Sequence, residues 1–113
     1  MGQDILDLQL VGAVLGGRED LALELIERGA NVNRQDAQGM TVLHHTAARG
    51  ARQAVRALVA SGKCDYLIRD HMNRYAFELA REWGRDEATA ELLEKKHVQQ
   101  ASARGVPAYV PRG

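Results

Sequence analysis

Residues 29–50 read GANVNRQDAQGMTVLHHTAARG. The first half is rich in turn residues: Gly29, Asn31, Asn33, Asp36 and Gly39. The second half, from Thr41 to Arg49, spaces apolar and small residues for one short helix, and Gly50 supplies the usual left-handed stop. A second helix follows at once in ARQAVRALVAS, residues 51–61. There Ala54, Val55, Leu58 and Val59 share a face and Arg52 and Arg56 share the opposite one, before Gly62 ends it.

The same sentence is written again downstream. Leu25, Ile26 and Gly29 recur as Leu58, Val59 and Gly62 at a spacing of 33, and Asp36 and Gly50 recur as Asp70 and Gly84 at a spacing of 34. One residue is inserted near Lys63. Upstream, Gly50 and Leu43 find Gly17 and Leu10, so a worn copy occupies the N-terminus. The chain divides into three units, about 1–34, 35–69 and 70–100, within one domain, followed by a tail over 101–113. Helix pairs are predicted in each: DLQLVGAVL with REDLALELIER, TVLHHTAAR with ARQAVRALVAS, and YAFELAREW with DEATAELLEKK. The expected fold is an all-α solenoid of three helix-turn-helix units joined by hairpin-like turns.

Gly29-Ala30-Asn31-Val32-Asn33, Asp36, Gly39 and Thr41-Val42-Leu43-His44 resemble the ankyrin repeat, with Val42 in place of the usual Pro and Thr46 in place of an Ala. The third unit is degenerate, with Asn73, Tyr75, Ala76, Phe77 and Glu78 at the motif positions. The first keeps little beyond its second helix and the Gly-Ala-Asn-Val-Asn loop. The resemblance implies that Thr41 and His44 bond to each other and to turn backbone, with Gly29, Gly39 and Gly50 as structural glycines. It also implies a non-catalytic protein-binding module. Partners would be gripped at the turn tips and the exposed positions of each first helix, on the concave face. Those positions are Gln35, Gln38, Met40 and Arg49 in the second unit, with Ala37 and Ala48 beside them. In the third they are Arg69, His71, Met72, Arg74, Glu82 and Trp83.

The bulk numbers agree with a binding module. The chain has 113 residues, 45% hydrophobic and 27% charged, with aromatics at only 4%. Fifteen basic residues balance fifteen acidic ones, which argues against a general nucleic-acid binder. Arginine outnumbers lysine twelve to three, and the group Arg49, Arg69, Arg74, Arg81 and Arg85 favours an acidic partner or is simply solvated surface. An inhibitory or accessory subunit of an enzyme is a related reading. From other classes there remain a metal-dependent protein and a nucleic-acid binder acting through the arginines.

Chemistry finds little purchase. His44 and His45 are adjacent, so on a helix they point about 100° apart and do not readily close on one metal. Cys64 is the single cysteine, which excludes an intrachain disulfide and reads as a buried thiol. Ser61 and Ser102 lack a nucleophile context, and no phosphate loop is present. No cofactor is expected and no catalysis. With neither a signal-like start nor a membrane-length apolar run, the expected compartment is the cytoplasm.

Three points stay open in the sequence. ILDLQLVGAVL, residues 5–15, carries more apolar residues than one buried stripe needs. Either the helix lies deep, or it exposes a patch for self-association or a partner. Trp83 either caps the core or faces a partner. The tail either stays loose or lies back on the third unit with Tyr109 as anchor.

Overall fold

The fold is seen in a computed structural model, which describes residues 2–108. Six helices run in order: α1 (Gly2–Leu15), α2 (Glu19–Glu27), α3 (Val42–Ala48), α4 (Arg52–Ala60), α5 (Ala76–Glu82) and α6 (Glu87–Arg104). No strand occurs among the described residues. The helices pair within units as α1/α2, α3/α4 and α5/α6, and the first helices stack side by side in the order α1, α3, α5. Two long turns, 28–41 and 61–75, join the units.

Small residues set the spacing of the inner layer. Ala47 and Ala80 on α3 and α5 are fully buried, and so is Ala90 on α6. Larger groups fill the seams: Leu10, Leu58, Phe77 and Leu93 are each about 1% exposed. Burying a side chain of that size contributes roughly 1.5–3 kcal/mol. α4 follows its predicted face, with Ala54, Val55 and Leu58 inward and Arg52 and Arg56 outward.

Loop backbone is tied by side chains acting as clamps. Asn33 donates from Nδ2 to the Lys63 carbonyl (3.0 Å) and accepts at Oδ1 from the Asp65 N–H (2.8 Å). Gln100, on α6, does the same one residue along: Nε2 donates to the Cys64 carbonyl (3.0 Å) and Oε1 accepts from the Tyr66 N–H (2.6 Å). At the other end Gln3 donates to the Gly29 carbonyl (3.0 Å) and Asp7 accepts from the Asn31 N–H (2.7 Å). Each loop amide and carbonyl would otherwise be left half-desolvated.

Two sequence expectations need correction. The sequence places the end of the third unit at about 100, whereas α6 continues through Arg104 and stops at Gly105, which has φ 67°. The extension is held because His97 and Ala101 are buried, Gln100 grips the 64–66 loop, and Arg104 pairs with Asp65 at 3.1 Å. The predicted anchor Tyr109 lies outside the described residues. The second correction concerns α1. Leu10, Ala13 and Val14 are buried, but Ile5 is 58% and Leu8 67% exposed, and Val11 is exposed too. The deep-helix alternative fails because α2, α3 and the 29–34 turn cover α1 on one side and leave Ile5, Leu8 and Val11 in solvent.

Gly84 lies where α5 presses on α3: a Cβ there would stand 2.3 Å from the Ala47 carbonyl oxygen. By contrast, a Cβ at Gly12, inside α1, would meet nothing within 4 Å. Gly84→Ala is therefore expected to destabilise the chain by about 2 kcal/mol. Gly12→Ala should stabilise it by about 0.5–1 kcal/mol, since glycine is unfavourable within a helix. Urea unfolding of the two variants checks the opposite signs.

Candidate protein-interaction surface

The quoted histidine pair resolves into two separate devices. Thr41 caps α3, accepting at Oγ1 from the His44 N–H (3.3 Å). In return the His44 Nδ1 accepts from the Thr41 N–H (3.2 Å) and lies 2.9 Å from the Thr41 hydroxyl. The His44 Nε2 is 3.1 Å from the Arg74 carbonyl, thirty residues away. A carbonyl only accepts, so Nε2 carries the proton and Nδ1 is the acceptor. The ring is 1% exposed; burial holds its pKa below the ordinary 6.5, outweighing the Arg74 carbonyl and the Asp70 charge, which favour the protonated form. His44 thus joins the second unit to the third as a neutral link.

His45 turns elsewhere. Its Nε2 sits 2.7 Å from Asp36 Oδ2. Asp36 Oδ1 accepts from the Gln38 and Met40 N–H groups (2.9 and 3.0 Å), which folds the turn tip. Asp70 repeats this in the third unit, accepting at Oδ1 from Met72 and Arg74 at 2.9 Å each, with the Arg74 guanidinium taking the role of His45. Burial raises both carboxyls, but the His45 and Arg74 contacts with the turn N–H groups more than offset it, so both lie below the usual carboxylate range. Gly39, at φ 77°, lies against His71: a Cβ would stand 2.7 Å from the His71 nitrogen. Its counterpart is Asn73 at φ 65°, since Asn is the side chain that best tolerates this region. Glu78 likewise replaces His44 as a cap, accepting from the Tyr75 N–H at 2.7 Å. Gly29 and Gly50 follow α2 and α3 with left-handed backbone, as their motif places require.

The predicted contact residues separate into two groups. Gln35, Gln38, Met40, Arg69, His71, Met72 and Arg74 gather at the turn tips. Arg49, Glu82 and Trp83 sit at the far ends of α3 and α5, about 10 Å away for a seven-residue helix. Several of the first group do internal work. Gln35 donates to the Gly39 and Arg69 carbonyls (2.9 and 3.1 Å). Arg69 donates to the Tyr75 hydroxyl and to Asn73 Oδ1 (2.9 Å each), and Arg74 is held by Asp70 at 2.8 Å. The arginine group is therefore not one patch: Arg81 too is committed, to Glu87 and Glu94. Met72, at 72% exposed, and Trp83, at 62%, are presented to solvent. Trp83 does not cap the core.

A feature the sequence did not reveal is a groove of about 330 Å³ between α1 and the Asp36 turn. Leu8 and Val11 form one wall and Met40 and His45 the other. Its edge carries the Asp36 carboxylate and the Arg34 guanidinium, which pairs with Asp4 (3.0 Å) and Asp7 (3.3 Å). Asp7 is 4% exposed; burial raises its carboxyl, but the Asn31 N–H, Gln3 and Arg34 together hold it low. Elsewhere Cys64 is buried, its thiol pushed up to about 12 by burial and then by the Asp65 charge, and it donates to the Leu58 carbonyl at 3.4 Å. No group of three His, Cys, Asp or Glu among the described residues could hold a metal ion. No helix among them is long and apolar enough to cross a membrane.

Turn, short capped helix, turn and second helix thus recur with the Thr-x-x-His link in the best-preserved copy. The chain matches the family described as Ankyrin repeats (3 copies) over residues 10–102. It belongs to the ankyrin repeat family. Ankyrin repeats are in general protein–protein interaction modules without catalysis. A relative is the putative E3 ubiquitin-protein ligase XBAT34 of Arabidopsis thaliana, 40% identical over 67 residues. That match covers 58% of this chain and 18% of the ligase, so the chain spans under a fifth of that protein.

Removing the ankyrin histidine should be costly. His44→Ala strands the Arg74 carbonyl and the Thr41 N–H and opens a void, for a loss of about 3 kcal/mol in urea unfolding. The pH dependence follows from the lowered pKa. The unfolded chain takes up the proton first, so the contribution is full above pH 6.5 and is lost as pH falls toward the folded value. Wild type should weaken as pH falls below about 6.5, and His44→Ala should show a shallower slope over that range.

Proposed function

We propose that this ankyrin chain is a non-catalytic protein-recognition module, and that its contact surface centres on the groove between α1 and the Asp36 turn. The observation that supports it is the apolar wall left uncovered on α1, with Leu8 67% exposed beside a concavity of about 330 Å³. An isolated exposed leucine is ordinary, but Ile5, Leu8 and Val11 make a continuous stripe on one helix. The exposed Asp36 carboxylate at its edge suits a partner segment with an apolar anchor beside a Lys or Arg. Gln38, Met40 and Met72 extend the surface along the turn tips.

The walls of this groove are already fixed. Asp36 and His45 brace each other, Asp7 is clamped by three donors, and Gln35 spans two turns. A partner then meets a surface that needs little ordering, which lowers the cost of association. The compartment proposed is the cytoplasm, where a lone buried thiol such as Cys64 stays reduced.

Immobilised wild-type chain and its Leu8→Glu and Met40→Ala variants test the site by affinity capture from the source cell, with circular dichroism as a folding control. Both positions have exposed or half-buried side chains, so the fold should survive. A captured protein lost with Leu8→Glu and weakened with Met40→Ala supports the groove. Capture equal in all three places the contact elsewhere.

A further inference from the structure

The turn between the paired helices is three residues long in the first two units, 16–18 and 49–51, and four in the third, 83–86. The left-handed residue is Gly17 in the first and Gly50 in the second. In the third, Gly84 is occupied with the close approach to Ala47, and the left-handed conformation passes to Arg85, at φ 50°. Arginine is rarely found there. Trp83 is 62% exposed, as Arg49 is exposed at the matching place in the second unit, and Arg85 is exposed beyond it. A Cβ at Gly50 would stand 2.8 Å from the Gly84 carbonyl oxygen, so the two turns touch, and exposed Arg49 leaves from the turn beside that of Trp83.

The charges around this edge are unequally committed. Asp86 takes a two-pronged bond from Arg52 (2.9 and 3.0 Å) and caps α6 through Thr89. Glu87 and Glu94 are taken by Arg81. Among the described residues no carboxylate pairs with Arg49 or Arg85, while Glu82 remains as the one nearby acid without such a bond. The edge therefore presents an exposed indole on a turn that also carries Arg85 and touches the turn of Arg49, with neither guanidinium held by a carboxylate.

We propose that the Trp83–Arg85 turn, together with Arg49, is a second docking surface, for an acidic protein segment that sets an apolar or planar side chain on Trp83 between carboxylates held by the two arginines. Guanidinium forks match carboxylates, and tryptophan and arginine are the side chains that most often dominate interface energy. Two arginines beside Glu82 make a short charged site. A nucleic acid would call for a longer basic track, and Arg69, Arg74 and Arg81, which could have extended one, are spent internally. This surface rests on the protein-recognition reading but is independent of the groove.

Trp83 is the single tryptophan, so its fluorescence reports on this turn alone. The probes are the peptide Glu-Glu-Leu-Glu-Glu, its lysine counterpart and oligothymidylate, titrated into the full chain at low salt. The glutamate peptide should shift the emission saturably and the other two should not. Arg49→Gln and Arg85→Gly, which keeps the turn, should each weaken the response about fivefold, one ion pair's worth. Leu8→Glu should leave it unchanged, which separates this surface from the groove; if Leu8→Glu abolishes it, the two are one site and the proposal falls. No response to the glutamate peptide overturns the proposal, as does a stronger response to oligothymidylate. An emission that shifts with protein concentration alone points to a second copy as the occupant and also overturns it.

Discussion

The imidazole of His44 bonds in two directions at once, and the order of the stack depends on it. Nδ1 receives the Thr41 N–H and closes the start of α3, while Nε2–H reaches the Arg74 carbonyl of the next unit. A protonated ring would donate from both nitrogens and could not accept from Thr41. The link therefore requires neutrality, and burial supplies it. Because the acceptor belongs to Arg74, the same ring that caps one helix also positions the Asp70 turn that precedes α5.

Stacking leaves the end units with one face each to cover, and the two ends differ. At the C-terminal end α6 runs to Arg104, and Gln100 closes the 64–66 backbone of the same loop that Asn33 holds at Lys63 and Asp65 from the preceding turn. At the N-terminal end α1 supplies Gln3 and Asp7 to the 29–31 backbone, but its Ile5–Leu8–Val11 stripe stays in solvent. The closed end is polar and the open end is apolar. That asymmetry is why the groove lies between the first and second units.

What could be read from the sequence was local. Thr41 and Asp36 act on partners a few residues away, as His44 does through Nδ1, and their spacing survives as a pattern in the chain. The helical units followed from the 33–34-residue recurrence. The groove was not legible, because Leu8 and Met40 meet only when two units stack. The same holds for Asp7, whose partners lie 24 and 27 residues away. The end of α6 did leave a trace: Leu93, His97 and Ala101 recur every fourth residue and Gly105 follows as a stop, but the run of charged and amide residues around them hid it. Trp83 and Arg85 were undecided for another reason. Both lie in a four-residue turn outside either helix, where no period exists to read.

The account hangs on His44 being a neutral Nε2–H link between units. Nitrogen-15 NMR of the histidine rings in the folded chain observes this directly. The expected result is an acceptor-type shift for His44 Nδ1, a protonated Nε2 coupled across its hydrogen bond to the Arg74 carbonyl, and a titration midpoint below the ordinary 6.5. A ring that carries its proton on Nδ1, or that gains a second proton at or above pH 6.5 while the chain stays folded, would contradict it.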